Sequence, residues 1–114
     1  MFEKIYLDNR YRTINPKEAK ERLEADESIL LIDVRTPEEF AQSHIPNSIS
    51  IPLNRIEADI GKVAQDKNAE MIVYCLSGRR AAAACSQLTA MGYRNVSNMG
   101  GIQSWHYQTV SGHR

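Results

Sequence analysis

Ile29 to Val34 reads I-L-L-I-D-V, a short and nearly continuous apolar run, and a helix start follows it at once in Thr36-Pro37-Glu38-Glu39. A run of this length and character suits a central strand buried on both faces. Met71 to Tyr74 (M-I-V-Y) repeats the pattern. It ends at Cys75, and after Gly78 an alanine-rich helix is expected from about Arg79 to Met91, stopped by Gly92 at the C′ position. Strands alternating with helices predict an α/β fold, a central, mostly parallel sheet with helices on both faces. In such sheets ligands bind beyond the carboxyl ends of the strands. Cys75 stands at such an end.

The remaining segments fit the same plan. Asn15 reads as an N-cap, with Pro16 at N1 and Glu18 closing a capping box, for a helix reaching about Ala25. Thr36 and Glu39 form a second box, on a helix kept short because Pro46 follows His44-Ile45. Ile49 to Ile51 is expected to be a brief strand, Leu53 to Ile60 a short helix, and Asn95 to Asn98 a third core strand. Gly100-Gly101 reads as a turn and Ile102 to Tyr107 as one or two helical turns. Ser111 to Arg114 is expected to fray.

With 114 residues the chain is expected to form one domain, 1–114, with its core from about 13 to 107. The hydrophobic fraction of 42% suffices for one core without metal or disulfide staples. Fourteen basic and fourteen acidic residues cancel, which argues against a nucleic-acid or membrane-surface partner, so any basic site must be local. No apolar run is long enough to span a membrane. Met1 to Arg12 is mixed polar and charged, unlike a signal peptide. The two cysteines, Cys75 and Cys85, make no C-x-x-C pair, and the default location is a reducing cytoplasm.

The segment that carries chemistry is Cys75-Leu76-Ser77-Gly78-Arg79-Arg80. A thiol sits at the tip of a buried strand. Ser77 and Gly78 permit a tight turn, in which Gly78 can take a positive φ without steric cost. Successive N–H groups in such a turn can form an anion-binding nest. The next helix begins here, so its dipole and free N–H groups face the same point. Arg79 and Arg80 add local positive charge, although cations beside a helix N-terminus are unfavourable and so suggest a ligand role for at least one of them. The nest is expected chiefly to stabilise a bound anion, or a charged intermediate on the sulfur.

At this point a resemblance emerges, from about Thr13 to Trp105. It is carried by Leu31-Ile32-Asp33-Val34-Arg35-Thr36-Pro37-Glu38-Glu39-Phe40, then His44-Ile45-Pro46-Asn47-Ser48, then the Cys75 to Arg80 loop, then Met99-Gly100-Gly101 with Trp105. In this order and spacing the chain resembles a single-domain rhodanese of the rhodanese-like sulfurtransferase family. The resemblance implies a rhodanese-like fold and a double displacement. Cys75 would take the outer sulfur of thiosulfate or a persulfide donor, and a thiophilic acceptor (cyanide, a thiol or a protein) would remove it. Leu76, Ser77, Gly78, Arg79 and Arg80 would bind the substrate, with backbone N–H groups around the persulfide and an arginine on the anionic donor. Covalent catalysis of this kind implies ping-pong kinetics.

The resemblance also ranks the alternatives. Phosphatases on the same fold have a loop one residue longer, and inactive rhodanese-like binding modules commonly lack the cysteine. Neither phosphatase or arsenate-reductase chemistry nor a non-catalytic module fits this loop as well. Two positions depart from the family pattern. Ser43 precedes His44-Ile45-Pro46 and Asn47-Ser48 follow it, where glycine and Gly-Ala are usual. Leu76 occupies a position often basic or polar, which makes the rim more apolar and favours an organic or protein-bound persulfide as donor. No cofactor or metal is expected, since His44, His106 and His113 show no ligand spacing. The sequence does not indicate an oligomeric state.

The other residues read as structural. Cys85 shares a helical face with Ala81, Leu88 and Met91 and is expected in the core. Asp33 and Arg35 are expected to form an ion pair or capping network. His44 is expected to bond backbone near Pro46, Trp105 to pack under the glycine turn, and His106 and His113 to lie at the surface.

Overall fold

The structure, a computed structural model, describes residues 11–112. The expectations for Met1 to Arg10, His113 and Arg114 lie outside the described residues. The strands are β1 (Arg12–Thr13), β2 (Leu30–Asp33), β3 (Ile49–Ser50), β4 (Glu70–Cys75) and β5 (Asn95–Gly101). They form one sheet in the order β1-β5-β4-β2-β3, and every pairing is parallel. The helices are α1 (Pro16–Ala25), α2 (Pro37–Gln42), α3 (Ile56–Val63) and α4 (Arg79–Ala90).

The two apolar runs are the two strands at the heart of the sheet, paired Leu30 to Met71 through Asp33 to Tyr74. Alternation along β4 sends its side chains to two cores. Met71, Val73 and Cys75 join Ile56 and Ile60 of α3 and Ala81, Ala84, Cys85 and Leu88 of α4. Ile72 and Tyr74 join Ala19 and Leu23 of α1, with Met99 and Trp105. Helices therefore cover both faces, as parallel strands require.

The start and stop signals act as their chemistry suggests. The Asn15 side chain accepts from the Glu18 N–H at 2.7 Å, and Pro16 opens α1. The Glu18 half of the expected box is absent. On α2 the box is complete, with Thr36 and Glu39 bonded reciprocally. Gly92, at φ 104°, ends α4 in a Schellman motif, in which Gly92 N–H donates to Thr89 and Tyr93 N–H to Leu88.

Several segments differ from the sequence reading. β1 was not expected, because two exposed residues carry no apolar pattern; its pairing with β5 creates it. Leu53–Arg55 forms a 3₁₀ turn ahead of α3. Gly100 and Gly101 are not a turn but the end of β5, held there by pairing to Tyr74 and Cys75. A register shift after Val73↔Asn98 leaves Met99 as an extra residue, so this end of β5 is bulged. The segment after it holds a single 3₁₀ turn, Ile102–Ser104. Near the expected frayed end, Val110 bridges to His44 and the Gly112 N–H donates to Ala41 O at 2.7 Å.

Candidate active site

Cys75 closes β4 and its Sγ points toward the first turn of α4. The sulfur accepts from the Gly78 N–H at 2.9 Å and the Ala81 N–H at 3.2 Å. The first four N–H groups of a helix lack intrahelical acceptors. Here Gly78 is the N-cap, at φ 117°, and contributes no side chain. The sulfur itself thus caps α4, taking two of those four donors. Of these two donors Gly78 lies within the expected Leu76 to Arg80 stretch, while Ala81, expected only in the core, was missed; together they place partial positive charge against the sulfur.

The bulged end of β5 is the wall against which the loop packs. A Cβ on Gly101 would lie 2.0 Å from the Leu76 carbonyl oxygen and 2.6 Å from Ser77 Cα. A Cβ on Gly78 would meet Gly100 Cα at 3.5 Å. The absence of side chains lets the strand end and loop backbone touch, and the Gln103 N–H bonds the Leu76 carbonyl at 3.3 Å. The Gly100-Gly101 pair therefore builds the site.

Cys75 is 1% exposed, whereas Leu76 is 39% exposed and Ser77 and Arg79 are exposed too. The sulfur is the floor of the loop and these residues are its rim. The two arginines behave differently. Arg80 makes a forked pair with Glu39 of α2, at 2.7 and 3.1 Å. Arg79 makes no ion pair among the described residues. Glu39 Oε1 also accepts from the Thr36 N–H at 2.9 Å and hydroxyl at 3.1 Å. Bonding from Arg80, then from Thr36, holds the Glu39 carboxyl down at about 2 against the opposing effect of burial. In the sequence Glu39 reads as a capping residue within the Leu31 to Phe40 motif, with no partner in the loop. Its contact with Arg80 joins α2 to the cysteine loop across a separation no local pattern reveals.

The residues read as structural behave so. Asp33 and Arg35 are buried and form a forked pair, with Arg35 also donating to the Ser43 carbonyl at 2.6 Å. His44 Nδ1 bonds Phe40 O at 2.7 Å, and its ring stacks on Phe40. Cys85 is fully buried, and burial, then the charge of Cys75, pushes its thiol up to about 12. Trp105 packs in the α1-side core, donating Nε1–H to Gln108 O. His106 is exposed. Tyr74 was not singled out from sequence; its hydroxyl accepts from the Ile45 N–H at 3.1 Å and meets Ser48 Oγ at 3.0 Å, fixing the His44 to Ser48 segment on the sheet.

Among the described residues no group of three His, Cys, Asp or Glu side chains is placed to hold a metal, and no helix is long and apolar enough to cross a membrane. A groove of about 450 Å³ lies at the other end of the strands, lined by Leu23, Ile29, Leu30, Pro46 and Ile49 among others. Asp26 and Glu27 also line it, and neither Cys75 nor Cys85 does.

Known proteins are similar to this chain in sequence and fold. Residues 15–108 match the Rhodanese-like domain. A sulfurtransferase of Allochromatium vinosum is 37% identical over 81% of this chain and 85% of its own length. The thiosulfate sulfurtransferase PspE of Escherichia coli is 40% identical over 71% of this chain and 78% of its own. Among solved structures, a rhodanese with anions from E. coli superposes with a TM-score of 0.70 at 38% identity, covering 74% of this chain and 99% of that one. A rhodanese-related protein of Thermoplasma volcanium gives 0.75 at 33% identity, covering 88% and 98%. With a parallel α/β sheet, a cysteine at a strand end and these relatives, the chain belongs to the rhodanese-like sulfurtransferase family.

Proposed function

We propose that this protein moves sulfane sulfur from thiosulfate or a persulfide donor to a thiophilic acceptor, with Cys75 as the carrier. The observation that supports this most is the sulfur lying against the Gly78 and Ala81 N–H groups at the helix start. Donors aimed at a sulfur are placed to stabilise negative charge developing there.

In the first half-reaction the Cys75 thiolate attacks the outer sulfur of thiosulfate. A Cys75–S bond forms, the S–S bond of the donor breaks, and sulfite leaves with its electron pair. The product is a persulfide whose outer sulfur lies ~2 Å beyond Sγ, within reach of the loop backbone. In the second half-reaction cyanide, a thiol or a protein thiol attacks that outer sulfur, and the thiolate of Cys75 is regenerated. With cyanide the product is thiocyanate. The N–H groups of Leu76 to Arg80 surround the persulfide, and Arg79 meets the anionic donor at the rim. The chemistry suits a reducing compartment such as the cytoplasm, where a free thiol persists.

The test is steady-state kinetics of thiocyanate formation with donor and cyanide varied together. Parallel double-reciprocal lines, and no turnover by Cys75→Ser, are expected. Turnover of a phosphate ester in place of sulfur transfer would contradict the reading and assign phosphatase chemistry to the loop.

A further inference from the structure

Glu39 is an acidic group bonded directly to a cation of a loop whose task is to hold anions. Its carboxylate is not free to swing away. Thr36 donates to it twice and Arg80 grips it with two N–H groups. Both members are only partly exposed, at 34% for Arg80 and 30% for Glu39, so the pair is shielded from counter-ions on one side. The Arg80 guanidinium is therefore neutralised, and Arg79, which makes no ion pair among the described residues, is the loop cation left at the rim. Beside it Leu76 offers exposed apolar surface.

We propose that Glu39 is a specificity-determining residue. By neutralising Arg80 it reduces the attraction of the loop for small dianions and favours sulfane sulfur carried by a singly charged organic group, which Leu76 can contact. This inference rests on the sulfur-transfer reading above. Glu39 touches Arg80 rather than the reacting atoms, so it acts through position and charge. Its carboxyl stays ionised down to about pH 2, and the setting is constant at working pH.

The experiment compares thiosulfate, a dianion, with benzenethiosulfonate, a monoanion that transfers its terminal sulfur and leaves as benzenesulfinate. Cyanide is the acceptor for both. Glu39→Gln removes the charge but keeps a residue that serves a capping box. Uncovering one unit charge at ~7 Å from a donor in a wet rim changes the relative use of a dianion over a monoanion by ~3- to 8-fold. The ratio of kcat/KM for thiosulfate to that for benzenethiosulfonate should rise by this factor, through KM, and fall back as salt is raised. In wild type, Arg79→Gln should lower the same ratio by a similar factor. A ratio unchanged in Glu39→Gln overturns the proposal whatever Arg79→Gln does, as does an equal loss with both donors in Glu39→Gln, which would mark a purely structural pair. If wild type passes sulfur from neither donor, the sulfur-transfer reading itself falls, and this inference with it.

Discussion

Gly101→Ala tests how tightly the fold positions the site. The added Cβ would sit 2.0 Å from the Leu76 carbonyl oxygen, 2.5 Å from its carbonyl carbon and 2.6 Å from Ser77 Cα. All three are backbone atoms, so no side chain can rotate away. Real contacts of a Cβ start near 3.0 Å, and strand or loop must retreat by about 1 Å. The strand is held by its ladder to β4, with Gly101 opposite Cys75, so the strain falls largely on the loop. Overpacking of this kind costs ~1–3 kcal/mol. A misplacement of ~1 Å costs about 100-fold in rate. Thiocyanate formation at saturating cyanide should therefore lose about two orders of magnitude in kcat/KM, with a modest drop in the urea midpoint. Activity within threefold of wild type would refute the claim that this contact positions the loop.

Three further outcomes follow from the same geometry. Arg35→Ala leaves the fully buried Asp33 carboxylate without its partner, and urea unfolding should show a loss of ~3–5 kcal/mol; a loss under ~1 kcal/mol contradicts the buried pair. Iodoacetamide on the native protein at pH 8 should label Cys75 and spare Cys85, whose thiol is pushed up to about 12, so Cys85→Ala keeps the label and Cys75→Ser loses it. The Glu39 carboxyl is depressed from 4.5 to about 2, so its stabilisation is fully present above about pH 5 and is lost as pH falls through about 2. The stability gap between wild type and Glu39→Gln should therefore be flat above pH 5 and close toward pH 2; a gap independent of pH would show that charge is not its source.

Much of this was legible because the signals are local. The caps at Asn15 and Thr36 and the stop at Gly92 are short-range hydrogen-bond patterns, and they place α1, α2 and the end of α4 to within a residue or two. The two apolar runs are β2 and the centre of β4, which positions Cys75. The misreadings arise where pairing between distant segments decides. Arg12 and Thr13 become a strand because β5 offers an edge. Gly100 and Gly101 have the composition of a turn, yet the ladder to Tyr74 and Cys75 keeps them extended into a bulge. The fork from Arg80 to Glu39 has the same origin: both residues were conspicuous, but only the packing of α2 beside the loop brings them together. Tyr74 looked like one more apolar strand residue, and its hydroxyl gains a role from the segment folded over it.

The central claim is that Cys75 carries the transferred sulfur. The most direct measurement is intact mass of wild type and Cys75→Ser after incubation with thiosulfate or benzenethiosulfonate, and again after cyanide. Wild type should gain the mass of one sulfur atom and lose it to cyanide as thiocyanate, while Cys75→Ser stays unchanged throughout. A wild-type protein that gains no sulfur from either donor, or a Cys75→Ser variant that gains as much as wild type, would contradict it.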